Sequence, residues 1–124
     1  MDTYVVNGVT LEYDTFDLDA AELRQKELEM VDQICKQESD VDVYTKIRNI
    51  CNAMLDFFDT VIGPGTAVKI CGERVNVKTI NEAFRDFNAQ VNKHWEEQKF
   101  SLESLNDTAV VPVNRAQRRA MMRK

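Results

Sequence analysis

The stretch VYTKIRNICNAMLDFFDTVIGPG, residues 43–65, decides the fold. Val43, Tyr44, Ile47, Ile50, Cys51, Met54, Leu55, Phe57, Phe58, Val61 and Ile62 recur at helical spacing and define a wide apolar face. Ser39 or Asp40 stands where an N-cap belongs. Gly63-Pro64-Gly65 ends the run, because glycine accepts a left-handed cap and proline cannot continue the hydrogen-bond ladder. A helix this apolar does not hold alone in water, since the entropy of fixing its backbone matches the gain from burying its side chains. It reads as a central helix with neighbours on several sides.

The flanking sequence supplies those neighbours. Upstream, Tyr4 to Tyr13 (YVVNGVTLEY) is a hairpin: Asn7-Gly8 tolerates the positive φ angles of a type I′ turn, and β-branched and aromatic residues flank it. A lone hairpin is marginal and must lie on the helices. A first helix is expected over 20–36, capped by Asp17 or Asp19, with a narrow stripe of Leu23, Met30, Val31, Ile34 and Cys35. Downstream, a short helix over 66–71 ends at Gly72. Asn76 then caps a long helix carrying Val77, Ile80, Ala83, Phe84, Phe87, Val91 and Trp95 on one face and ending near Gln98-Lys99. The expected fold is mostly α with a small β element (α+β): an N-terminal hairpin packed on three main helices and one short one. Residues 1–100 form this domain, and 101–124 form a polar linker closing on Ala109-Val110-Val111-Pro112-Val113 and a flexible basic tail.

Composition bounds the function. The 124 residues are 44% apolar and 30% charged, which suits one globular domain. No apolar run nears the ~20 residues of a membrane helix, and Met1-Asp2-Thr3-Tyr4 lacks the basic flank of a signal peptide, so a cytoplasmic protein is expected. Sixteen basic and 21 acidic side chains give −5 overall. The charge is divided: NRAQRRAMMRK, residues 114–124, holds five basic side chains and no acid. The remaining 11 basic against 21 acidic leave −10 on residues 1–113. Such asymmetry asks for a partner, or for the tail to fold back on its own body.

Reactive groups are few in this sequence. Cys35, Cys51 and Cys71 are odd in number and form no CxxC pair, which argues against a disulfide framework and a zinc site. Cys35 and Cys51 read as small buried hydrophobes on helix faces. His94, the single histidine, has no orienting partner in view and reads as a helix-surface residue. Asp56 and Asp59 lie three apart on one helix face, a spacing that can hold a metal, yet no glycine-punctuated aspartate loop surrounds them. The glycines at 63, 65 and 72 lack the Lys-Ser/Thr ending of a phosphate loop. The chain therefore reads as a non-enzyme that needs no cofactor, metal or small-molecule substrate.

The partner-binding residues expected are Arg115, Arg118, Arg119 and Arg123. Clustered arginines neutralise phosphates, but a body at −10 repels that polyanion and no aromatic rings interleave the arginines. An acidic protein groove suits them better, with Met121 and Met122 adding adaptable apolar contacts. A solvated tail without a partner fits equally well.

One order of residues carries a resemblance. Asn7-Gly8-Val9, Tyr13-Asp14-Thr15-Phe16-Asp17, Phe57-Phe58-Asp59, Gly63-Pro64-Gly65-Thr66-Ala67, Ile70-Cys71-Gly72, Asn76, and Ala83-Phe84 with Phe87 follow one another over residues 5–95. This order resembles a family of short proteins from tailed phages and prophages of Gram-positive bacteria. Asn114-Arg115-Ala116-Gln117-Arg118-Arg119 is similar to the basic endings of small phage tail assembly proteins. The resemblance implies a tail assembly chaperone, which holds the long, aggregation-prone tape measure protein in the host cytoplasm while tail tube subunits polymerise around it. Such proteins are not enzymes, and their partners are tail proteins or a second copy of themselves. The alternatives are a structural head–tail connector or tail terminator subunit, and a nucleic-acid-binding regulator acting through the basic tail.

Overall fold

The computed structural model describes residues 1–37 and 40–98. The expected fold class is present: strands β1 (Asp2–Val6) and β2 (Val9–Tyr13), then helices α1 (Leu18–Lys36), α2 (Val43–Val61), α3 (Thr66–Cys71) and α4 (Val77–Glu97). The linker at 101–113, the basic segment at 114–124 and the four arginines named above lie outside the described residues. The chain divides into two compact units, residues 1–90 and residues 91–124. The second is described through the last turns of α4, where His94 and Trp95 are half-buried.

In the first unit, β1 and β2 pair antiparallel with Val6 opposite Val9 and Tyr4 opposite Leu11. Asn7 (φ 51°) and Gly8 (φ 78°) make the left-handed pair that a type I′ turn demands. Strand alternation turns Tyr4, Val6, Leu11 and Tyr13 inward, and all four are buried. The Tyr4 and Thr15 hydroxyls share a hydrogen bond in this buried layer, and the Tyr13 hydroxyl donates to the Ala20 carbonyl at 3.0 Å. The two polar ends of the tyrosines are thereby satisfied while their rings join the core.

Helix starts follow their caps. The Ala20 amide donates to Asp17 at 2.9 Å, which resolves the choice between Asp17 and Asp19 and starts α1 at Leu18, two residues earlier than expected. The Thr79 amide donates to Asn76 at 3.1 Å ahead of α4. The cap of α2 corrects the sequence reading: it is Asp42, not Ser39 or Asp40. Asp42 takes both the amide (2.9 Å) and the hydroxyl (3.0 Å) of Thr45, and these two bonds hold its carboxyl below the ordinary range. A threonine three positions on gives position 42 an advantage that 39 and 40 lack.

The core is aromatic. Phe57, Phe58 and Phe87 are fully buried, and Phe87 meets Tyr4, Tyr13, Phe57 and Phe58 edge-on with ring centroids 5.6–6.1 Å apart. Phe84 stands 5.0 Å from Phe57 in the same manner. Hairpin, α2 and α4 therefore meet at one ring. The first half of α2 departs from the expected continuous stripe: Val43 and Tyr44 are exposed (61% and 79%), while Cys51, Met54, Phe57, Phe58 and Val61 are buried. On α1 the buried positions are Arg24 and Val31, and Met30 is exposed, so the inward face is turned from the one expected.

Replacing Phe87 by alanine is expected to lower the unfolding free energy by about 3–5 kcal/mol, read from urea denaturation followed by circular dichroism. Burial raises the Tyr4 and Tyr13 phenols above their ordinary value of 10.0. The fold favours their neutral form, so this contribution is complete below pH 10 and drains away as pH rises through the folded values. A Tyr4→Phe, Tyr13→Phe variant should lose less stability between pH 9 and about 11.5 than the wild type does.

Candidate functional site

Helix α1 places Leu28, Val31, Asp32 and Cys35 along one edge, at positions i, i+3, i+4 and i+7. Helix α4 places Asn81, Phe84 and Arg85 along another, and Met54 of α2 lies between. These residues line a groove of about 370 Å³. Val31 and Met54 are buried, Leu28 and Phe84 half-buried, and Cys35, Asp32 and Arg85 exposed. The groove is thus apolar within and polar at its lip.

A clamp the sequence reading missed supports this groove. Arg24 is buried, and its Nε donates to Asn88 Oδ1 at 2.8 Å while a terminal nitrogen reaches the Asn88 carbonyl at 3.5 Å. The Asn88 amide in turn donates to the Phe84 carbonyl at 2.9 Å. Burial lowers the Arg24 guanidinium from its ordinary value, and Tyr13 and Tyr4 act in the opposite direction. The clamp fixes α1 against α4 one turn from the groove. Its sequence signal is Arg24 four residues before Leu28 and seven before Val31, on the stripe that turns inward.

Asp56 and Asp59 line one cleft, in which Asp59 has a structural role. Asp59 is half-buried and accepts the Ala67 amide at 3.0 Å, so it caps α3, whose N-cap residue Gly65 has no side chain to do so. Asp56 is exposed on the same cleft, of about 490 Å³, which also takes in Asn52, Leu55, Val68, Glu73 and Arg74. Among the described residues no three His, Cys, Asp or Glu side chains are placed to hold a metal ion, and no helix is long and apolar enough to cross a membrane.

Residues 7–122 match the family of unknown function DUF6673. The chain belongs to that family. The matched span includes Arg115, Arg118 and Arg119. No curated protein and no solved structure matches the chain.

The cysteines give a direct test of the groove. Cys35 corrects an expectation: it lies exposed at the lip, because the inward face of α1 is centred on Arg24 and Val31. Cys51 is buried and Cys71 partly so, and burial pushes both thiols up, leaving less thiolate. In the folded protein at pH 8, iodoacetamide should modify Cys35 first, at least about tenfold faster than Cys51, with equal rates in urea. Peptide mass spectrometry reads the order.

Proposed function

We propose that this DUF6673 protein is a non-enzymatic binding protein: a phage tail assembly chaperone or adaptor that holds a helical segment of a tail protein in the bacterial host cytoplasm. The observation that carries the reading is the open groove between α1, α2 and α4, with Leu28, Val31, Met54 and Phe84 as its apolar lining. A tape measure protein is long and helical, and a groove of this kind accepts two or three side chains from one face of such a helix. The charge division suits the same role. A −10 body keeps a carrier of apolar polypeptide soluble, and the arginines at 115, 118, 119 and 123 offer charge-assisted hydrogen bonds to acidic side chains of the partner. The order of residues over 5–95 that resembles small tailed-phage proteins supports a tail protein as the partner.

Co-expression with the tape measure protein should raise its soluble yield, and the two should co-purify. Cys35 in the complex should be shielded from iodoacetamide. Leu28→Glu at the groove should abolish the shielding, and Arg118→Glu with Arg119→Glu should weaken co-purification. Unchanged yield and no co-purification would overturn the reading.

A further inference from the structure

The two-residue turn decides which backbone groups of the hairpin are used inside it. Val6 and Val9 close the turn and exchange both of their bonds, so bonded pairs alternate down the ladder: Val6 with Val9, Tyr4 with Leu11, Asp2 with Tyr13. The amides and carbonyls of Thr3 and Val5 on β1, and of Thr10 and Glu12 on β2, therefore point away along the two edges. The rest of the unit treats those edges differently. On β1 the Val5 carbonyl accepts from Gln90 of α4 at 2.9 Å. The connection to α1 also turns toward β1, since the Thr15 amide donates to the Asp2 carboxylate at 3.3 Å and the Thr15 and Tyr4 hydroxyls share a hydrogen bond. On β2, Thr10 and Glu12 are both exposed, and neither makes a hydrogen bond beyond the ladder among the described residues.

An open edge of this kind accepts another extended strand. We infer that β2 pairs antiparallel with β2 of a second copy of this chain, on a two-fold axis through Leu11. Thr10 then lies opposite Glu12 of the second copy, and the two residues exchange both of their outward bonds; the two-fold repeats the pair on the other side of the axis. Leu11 faces Leu11 of the second copy in the closer, non-bonded position between them. The strand's own sequence selects this register. It overlaps the whole of Val9–Tyr13, whereas a shift of two residues in either direction shortens the ladder, and in one direction sets Glu12 against Glu12. Here each Glu12 carboxylate instead meets a Thr10 hydroxyl on the outer face, and on the inner face half-buried Val9 lies opposite Tyr13 of the second copy. With Val5 engaged by Gln90, the β1 edge of each copy ends the sheet, so the assembly closes at two copies. The strands are short, and the dissociation constant is on the order of tens of micromolar. The edge shares no residue with the groove, and the inference does not rest on the proposed function.

Sedimentation velocity on the full chain should show monomer passing to dimer as concentration rises. Glu12→Pro removes an outward amide that the hairpin does not use, and should weaken the dimer at least about tenfold while the circular dichroism stays that of the wild-type monomer. Thr3→Pro makes the same change on the β1 edge and should leave the dimer intact. Amide exchange followed by NMR reads the wild-type edge with no substitution. Thr10 and Glu12 should exchange at least about tenfold more slowly at dimer-forming than at monomer concentrations, with Thr3 unchanged. In a mixture of isotope-labelled and unlabelled chains, a filtered nuclear Overhauser contact between the two Leu11 α-protons should mark the axis. A chain that stays monomeric to about 1 mM, growth beyond the dimer, a dimer as strong in Glu12→Pro as in the wild type, or one whose Thr10 and Glu12 amides exchange no more slowly would each overturn the inference. So would amides protected only in a complex with a different protein.

Discussion

Phe87 is the point on which the first unit turns. Rings from both strands and from α2 approach its edges and faces at 5.6–6.1 Å. A two-stranded hairpin has too little apolar surface to persist by itself, and α2 has too much to remain exposed. The ring on α4 resolves both problems at once, since each edge-on contact adds about 0.5–1.5 kcal/mol beyond the area it buries. Everything nearer the surface inherits its position from this contact, including the tyrosine hydroxyls that tie the hairpin to Thr15 and Ala20.

The groove follows from how α1 is held. An arginine buried at its first turns, satisfied by the side chain and carbonyl of Asn88, spaces α1 from α4 with polar atoms instead of interlocked apolar side chains. Leu28 and Phe84 are then left half-covered, and Met54 is reached between them. Buried polar contacts of this sort specify geometry more than they stabilise.

Much of this architecture is legible in the residues. The Asn7-Gly8 turn, the stop at Gly63-Pro64-Gly65 and the cap at Asn76 each depend on local backbone chemistry, and local chemistry is written in neighbouring letters. What depends on the turn of a helix about its own axis is less so. Met30 and Cys35 fit an apolar stripe by spacing, but α1 turns Arg24 and Val31 inward, and no periodicity marks an arginine as a core residue until its partner 64 positions away is known. Asp42 displaced the expected caps because of a side-chain bond from Thr45. The groove is the least legible feature, being assembled from three helices whose contributions look like ordinary core positions one by one.

The hairpin has a further consequence through Gln90, whose amide donates to the Val5 carbonyl at 2.9 Å while also reaching Asp86 at 3.1 Å. An outward carbonyl on a two-stranded ribbon is where an extended polypeptide would begin to add itself as a third strand. With that acceptor engaged from α4, the sheet offers less of a template to cross-β growth.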